Sequence, residues 1–255
     1  MNFSNINKFN SIFKNTFLFI LFFIFTSFLF SSTIFDIKSK IESNYYSFNL
    51  NKHFAIIKNI KELENSELKY YFLSLEYHTL GKIIYNQDQD RALNYFENSI
   101  KSIEKAISMN KNKNQSILAE YYAILSSALG KKSSLSTFSS LYWGLESKKA
   151  FDKAFTLDSN NRKVRLIGSI HLMHVPEVLG GDKKKARVTL TKILNQENND
   201  SPNTINWADK AEIFAYLAQI DILEGKSPNA NIDSALKYQP NYDFVLIDLK
   251  NQMKK

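Results

Sequence analysis

From residue 34 onward, apolar residues recur at spacings of three and four, the period of an amphipathic helix, and strand-like alternation is nearly absent. The pattern predicts helices at 36–47, 51–64, 66–86, 89–109, 114–130, 137–157, 162–175, 182–196, 205–225, 228–238 and 242–253. The punctuation agrees with these bounds. Asn86, Asp88, Asp90, Asn112 and Asn114 offer side chains that cap helix starts. Gly180 and Gly181 relax the chain before Asp182 opens the next helix, Pro228 suits a first helical turn, and Pro240 suits a stop.

An internal repeat organises these helices. Four helix ends read Lys105-Ala-Ile-Ser-Met-Asn-Lys-Asn-Lys113, Lys153-Ala-Phe-Thr-Leu-Asp-Ser-Asn-Asn161, Lys192-Ile-Leu-Asn-Gln-Glu-Asn-Asn-Asp200 and Ser234-Ala-Leu-Lys-Tyr-Gln-Pro-Asn-Tyr242, with starts 48, 39 and 42 residues apart. Each follows a helix-loop-helix unit that cannot bury its apolar stripe alone, so the units must stack. Small, large and small residues recur with four-then-three spacing at Ala92, Phe96 and Ser99, at Ser147, Phe151 and Ala154, and, in a bulkier version, at Ala186, Leu190 and Ile193. Small residues let a paired helix approach closely while the large one fills the groove between ridges.

These residues, with the endings at 154–160 and 235–241, resemble the tetratricopeptide repeat over about residues 66 to 242. The first helices depart from that family's Trp and Gly pattern, and the spacing exceeds its usual ~34 residues. The resemblance implies an all-α, right-handed solenoid of antiparallel helix pairs over 34–255, displaying a concave surface for non-catalytic binding. A second stretch, Val175-Pro-Glu-Val-Leu-Gly-Gly-Asp182 followed by Lys185 and Ala186, is similar to a signature of the T component associated with tripartite (TRAP) periplasmic transporters. That resemblance implies a periplasmic helical-repeat protein, often oligomeric, that holds a small apolar ligand and meets a solute-binding subunit. Members of that family are commonly lipid-anchored through a Cys, which this chain lacks.

The N-terminus carries an export pattern. Lys8 and Lys14 precede an uncharged apolar run at 16–30, followed by Ser31, Ser32 and Thr33, the order of a secretory signal. The run is short of the roughly 20 residues that span a bilayer core. Residues 1–33 are therefore expected to be a signal peptide cleaved after Thr33, with an uncleaved signal anchor attaching the protein to the membrane as the alternative. Either way the expected location is the periplasm, free or membrane-anchored.

Composition narrows the chemistry. With no Cys among 255 residues, a disulfide framework and a thiolate metal site are excluded, and 7 Gly with 4 Pro argue against a turn-rich β fold. The net charge of +8 falls to +6 without Lys8 and Lys14, and the basic residues are scattered with no nucleic-acid motif beside them. No nucleic-acid partner is expected.

Candidate sites are few. His171 and His174 share a helix face, and Glu177 or Asp182 could add a carboxylate to a zinc-like set, against which stands packing at a helix end. Replacement of both histidines without change in metal content would end the metal-enzyme reading. His53 and His78 are isolated, with no nucleophile and acid to complete a triad. Asp88 and Asp90 lack the Gly and distal Glu of a calcium loop, and the Gly180-Gly181-Asp182-Lys183 stretch lacks the spacing of a phosphate loop. No cofactor is expected.

Aromatic residues are more informative. Tyr45, Tyr46, Tyr70, Tyr71, Phe72, Tyr77 and Tyr85 crowd the first third, and Tyr121, Tyr122, Tyr142, Trp143 and Phe151 the middle. Adjacent pairs cannot both face inward along one stripe, so some must line a binding surface. Tyr70, Tyr71, Tyr121, Tyr122, Tyr142 and Trp143 are the binding-surface candidates. The expected function is a non-enzymatic, protein-binding scaffold of the cell envelope that takes a protein or peptide partner. The alternative is a periplasmic carrier of a small apolar ligand, associated with a TRAP-type transporter.

Overall fold

Helix starts in this chain are built by short polar side chains. In the computed structural model, which describes residues 33–110, 114–196 and 204–253, seven helices carry an Asn, Asp or Ser cap whose side-chain oxygen accepts a first-turn amide. Each such cap contributes about 1 kcal/mol. Contacts divide the chain into a unit ending at Lys40 and a second beginning at Ile41. Helix α1 (33–44) runs through that boundary. In the first unit the described residues are helical, and Lys40 Nζ pairs with Asp36 across one turn at 2.6 Å.

The second unit continues with α2 (Leu50–Glu62), α3 (Glu67–Ile84), α4 (Gln89–Met109), α5 (Gln115–Leu135), α6 (Ser140–Leu157) and α7 (Arg162–His174). A 3₁₀ turn (Glu177–Leu179), α8 (Lys183–Leu194), α9 (Lys210–Leu223) and α10 (Asn229–Tyr238) follow. A π-helical turn (Phe244–Leu249) then runs into the short α11 (Lys250–Gln252). The protein is all-α, with no strand among the described residues. The repeated segments identified in the sequence close α4, α6, α8 and α10.

The helices pack in adjacent pairs, α3 with α4, α5 with α6, α7 with α8 and α9 with α10, and the first helices of successive pairs also touch. Two of the pairs share one device. Ser74 Oγ donates to the Ser99 carbonyl at 3.0 Å while Ser99 Oγ donates to the Ser74 carbonyl at 2.9 Å, clasping α3 to α4. Ser126 and Ser147 clasp α5 to α6 in the same reciprocal way, at 2.8 and 2.7 Å. Both serines of each clasp are buried, so each hydroxyl satisfies itself on a backbone carbonyl while keeping the axes close.

The small-large-small positions do the packing. Ala92, Phe96 and Ser99 are buried on α4, Ser147 and Ala154 on α6, and Ala186, Leu190 and Ile193 on α8. Opposite the large residues stand glycines. A Cβ on Gly81 would lie 2.7 Å from the Phe96 ring, and one on Gly168 would lie 2.8 Å from Phe151. The first helices thus carry glycines in packing positions that the sequence reading did not recognise.

Three boundaries differ from expectation. Helix α5 continues through Gly130 to Leu135, because Gly130 sits against the Ser147 side chain and does not end the helix. Helix α9 begins at Lys210 rather than at 205: the preceding stretch is irregular, with Ala208 in the left-handed region at φ 64° and Asp209 as the cap. The expected helix at 242–253 is mostly a π-turn. The apolar run at 16–30 lies outside the described residues, among which no helix is long and apolar enough to cross a membrane.

Within the second unit the two ends of the array meet. Phe48 N donates to Asp243 Oδ2 at 2.6 Å, and Asp243 N donates to the Tyr46 carbonyl at 3.0 Å. The Tyr46 and Tyr242 rings stand 4.5 Å apart, in a cluster with Ala211, Ala215, Ala218, Ile232 and Val245.

Candidate functional site

The first helices of successive pairs lie side by side and form an inner wall with a regular register. Tyr71 meets Glu120, His78 meets Ser127 and Tyr85 meets Ser134, each pair 49 residues apart and each rung two turns beyond the last. This is close to the 48-residue spacing of the corresponding helix ends. Between α5 and α7, Glu120 meets Lys163 at a 43-residue separation.

At one end of this wall lies a buried polar network. The Tyr71 hydroxyl donates to Glu120 Oε1, which also accepts from Trp207 Nε1 at 3.1 Å. Lys163 Nζ donates to Glu120 Oε2 at 2.9 Å and to Thr204 Oγ1 at 3.2 Å, and stands 5.6 Å from the Trp207 ring centre. Tyr121, its ring 5.2 Å from that of Tyr71, donates to Glu67 Oε1 at 2.7 Å. Burial first, then the adjacent carboxylate, holds both phenols above their ordinary pKa, so they remain donors.

The stretch 204–208 occupies this end of the wall. Ile205 N donates to the Tyr71 oxygen at 3.0 Å, Arg162 Nη2 donates to the Ala208 carbonyl at 2.9 Å, and Ala208 N donates to Glu212 at 2.9 Å. Thr204, Ile205, Trp207 and Ala208 are buried. Irregular backbone is tolerated at that depth because side chains take up its polar groups.

Further along the wall the polarity changes. Lys82 stands 5.2 Å from the Tyr45 ring centre and Lys131 5.0 Å from that of Tyr85. The Tyr45 hydroxyl donates to Glu212 at 3.1 Å. His78 Nε2 shares a 2.9 Å hydrogen bond with Ser127 Oγ, and burial, then Lys82 and Lys131, keep its pKa well below 6.5.

A second site lies on the outer side, between α4 and α6 over α5. A cavity of about 670 Å³ is lined by Tyr122, Leu125, Leu129 and Lys132 of α5, Tyr142, Trp143 and Glu146 of α6, and Glu97 and Ile100 of α4. Lys132 Nζ sits 3.7 Å from the Trp143 ring centre and 2.8 Å from Glu97 Oε1. Trp143 Nε1 donates to Ser139 Oγ at 3.0 Å, and Tyr142 packs edge-on against the indole at 4.7 Å. Phe138 just before α6 and Leu141 and Leu145 in its first two turns, spaced three and four residues apart, are 103%, 77% and 52% exposed.

The six aromatic candidates therefore separate. Tyr71 and Tyr121 belong to the inner network, and Tyr122, Tyr142 and Trp143 gather in the outer groove. Tyr70 is half-buried and joins neither. His171 lies edge-on to Phe151 at 5.4 Å and 3.4 Å from Ser126 Oγ, and burial lowers its pKa to about 4. His174 is exposed. Among the described residues no group of three His, Asp or Glu converges as a metal would require.

His53 is buried, with Nδ1 2.8 Å from Glu76 and Nε2 2.8 Å from the Ser47 carbonyl, so it braces α2 on α3. Asp88 caps α4, and Asp182 caps α8. Gly180 adopts φ 96°, and a Cβ on Gly181 would lie 1.7 Å from the Val175 carbonyl oxygen. Local stereochemistry accounts for both glycines and for the aspartate that follows.

Sequence reading missed Glu120, Lys163, Trp207, Lys82 and Lys131. The available signal was a charged residue interrupting an apolar helix face, as Glu120 does between Ala119 and Tyr121. Comparison with family models, with curated proteins and with solved structures finds no match to the chain.

Proposed function

We propose that the protein is a non-enzymatic, protein-binding scaffold of the cell envelope, a right-handed tetratricopeptide-like solenoid that grips an apolar segment of a partner polypeptide in the groove between α4 and α6. The observation that carries this reading is the groove itself: Tyr122, Tyr142 and Trp143 on an aliphatic floor, with the exposed Phe138, Leu141 and Leu145 next to Tyr142 along the chain and one helical turn either side of it. Its lining balances Lys101, Lys132 and Lys149 against Glu97, Glu104 and Glu146, with Lys132 paired to Glu97 and Lys149 to Glu146, so the surface offers contact area rather than net charge. An amphipathic segment that inserts apolar side chains matches that chemistry. One end of the inner wall is taken by the chain's own residues 204–208, which supports the outer face as the place for a partner. The envelope location rests on the export pattern of residues 1–33.

The test places a photo-crosslinking amino acid at Tyr142 in the full-length protein within its own cells. The adduct is mapped to a sequence, and a labelled synthetic peptide of that sequence is titrated by fluorescence anisotropy. The expected result is an adduct on an apolar segment of an envelope protein, saturable peptide binding, and at least about a tenfold loss of affinity in Trp143→Ala, as for a buried aromatic anchor. Adducts only with a second copy of the chain, or no saturable peptide binding, overturn it. A stoichiometric small molecule retained in native mass spectrometry, with no adduct at Tyr142, moves the function to the small-ligand carrier.

A further inference from the structure

The inner wall carries a second feature that the groove reading does not use. Lys82 of α3 and Lys131 of α5 are 49 residues apart, the separation of the rungs His78 with Ser127 and Tyr85 with Ser134 between which they lie. The register therefore sets the two ammonium groups in one seam. The 43-residue register that joins Glu120 to Lys163 likewise sets His174 beside Lys131, three turns further along both helices. His78, Lys82, Lys131 and His174 thus come from three consecutive first helices onto one stretch of wall. Among the described residues no hydrogen bond or ion pair closes on either ammonium group; each has the face of a tyrosine ring. The carboxylates facing them are Glu212, which accepts from Tyr45 and Ala208, and Asp248 of the π-turn, and neither forms an ion pair with them.

We propose that this seam is an anion-binding site for a phosphate group, held by the Lys82 and Lys131 ammoniums with His78 and His174 at its edge. Two half-buried cations set side by side repel one another and lose hydration, and a bound dianion reverses both penalties. The electrostatics agree. Burial, then Lys82, pushes Lys131 down to about 8, and burial lowers Lys82 despite Glu212. The phosphate class follows from the donors. Lysines act as point charges that suit a tetrahedral oxyanion, and no guanidinium fork is present to select a planar carboxylate.

The test is thermal unfolding and isothermal titration of the full-length protein at pH 7, where Lys131 is still mostly protonated. Inorganic phosphate and glycerol 3-phosphate are compared at constant ionic strength set with chloride. The expected result is saturable binding of one anion per chain, lost by at least about tenfold in Lys82→Met and in Lys131→Met. Lys192→Met, exposed on α8 away from both sites, leaves binding unchanged. Tighter binding of glycerol 3-phosphate identifies a phosphate ester as the ligand class, and equal binding identifies the free ion. Each ligand-free Met variant is expected to keep the far-ultraviolet circular dichroism spectrum of wild type and to melt cooperatively, so lost binding is separable from lost folding. Absence of saturable binding in wild type, or binding that survives both substitutions, overturns the assignment. Either result leaves the groove reading standing, since that is scored on Tyr142 adducts and peptide affinity.

Discussion

Replacing Lys163 with Met isolates the energetic logic of the inner network. Lys163 is fully buried, and its ammonium donates to Glu120 at 2.9 Å; at an effective dielectric constant of ~20 that attraction is about 6 kcal/mol before desolvation is charged against it. Without it, Glu120 keeps two neutral donors, Tyr71 and Trp207, and stays buried as an uncompensated carboxylate. Removing one partner of such a pair costs about 3–5 kcal/mol, whereas replacing both with apolar groups of similar volume is far milder. The expected order of stability is therefore wild type, then the Glu120→Leu/Lys163→Met double variant, then Lys163→Met alone. The double variant should be at least about 2 kcal/mol better than the sum of the singles. Urea unfolding followed by far-ultraviolet circular dichroism measures all four members of the cycle, with the slope checking that the unfolded ensemble is unchanged. Additive effects within ~0.5 kcal/mol would refute the claim that the two charges depend on each other.

Two further outcomes follow from packing and protonation. Gly81→Val should lose about 1–3 kcal/mol, because its Cβ meets the buried Phe96 ring at 2.7 Å, while Gly144→Ala, whose Cβ meets only Ser133 Oγ at 3.4 Å, should be neutral or stabilising by up to ~1 kcal/mol. Chemical denaturation of the two variants checks the contrast, and a neutral Gly81→Val would show that the close approach of α3 and α4 is not needed. His171 has a folded-state pKa of about 4 against 6.5 when unfolded, so below pH 6.5 the unfolded chain takes up a proton that the folded chain refuses. Stability should therefore fall as pH drops from 7.5 to 5, with His171 accounting for at most about 2 kcal/mol of the fall. His171→Phe should lose that share of the decline in denaturation midpoints measured at the two pH values, and an identical decline would place the histidine in water.

Helix content and pairing were legible because they depend on local, additive signals: three- and four-residue periodicity, Asn and Asp caps, and small-large-small triplets. Departures from expectation have tertiary causes. Gly130 reads as a helix stop, yet its missing side chain admits Ser147, a contact visible only once α6 is folded back. Ile205, Trp207 and Ala208 read as a helical apolar stripe, but they are buried in irregular backbone whose amides and carbonyls are taken by Tyr71, Arg162 and Glu212. The reasoning that adjacent tyrosines cannot face the same way anticipates the split of Tyr121 and Tyr122 between inner network and outer groove. It could not reveal that Tyr71 and Tyr121 would be covered by residues more than 80 positions downstream. The inner-wall charges were hidden for a related reason: a lone Lys on a helix reads as solvated, and only the 49-residue register brings Lys82 to Lys131.

That register also makes the two ends of the inner wall comparable. Glu120 and Lys131 are three turns apart on α5, as are Lys163 and His174 on α7, so the same seam presents first a matched pair and then a mismatched one. The matched end is built as a folded core must be: Lys163 faces Glu120, the remaining acceptor positions of that carboxylate are filled by Tyr71 and Trp207, and the chain's own residues 204–208 cover the whole. At the mismatched end a Met at either lysine would keep the helix, fill the same space against the Tyr45 or Tyr85 ring and remove the repulsion. Lys82 lies in the field of Glu212 and Lys131 in that of Asp248, yet neither lysine closes an ion pair on its carboxylate. Those carboxylates leave both ammoniums without a direct acceptor, and a negatively charged group from outside supplies one, which is why the seam, and not the better-satisfied network beside it, is the part of the wall that reads as a site.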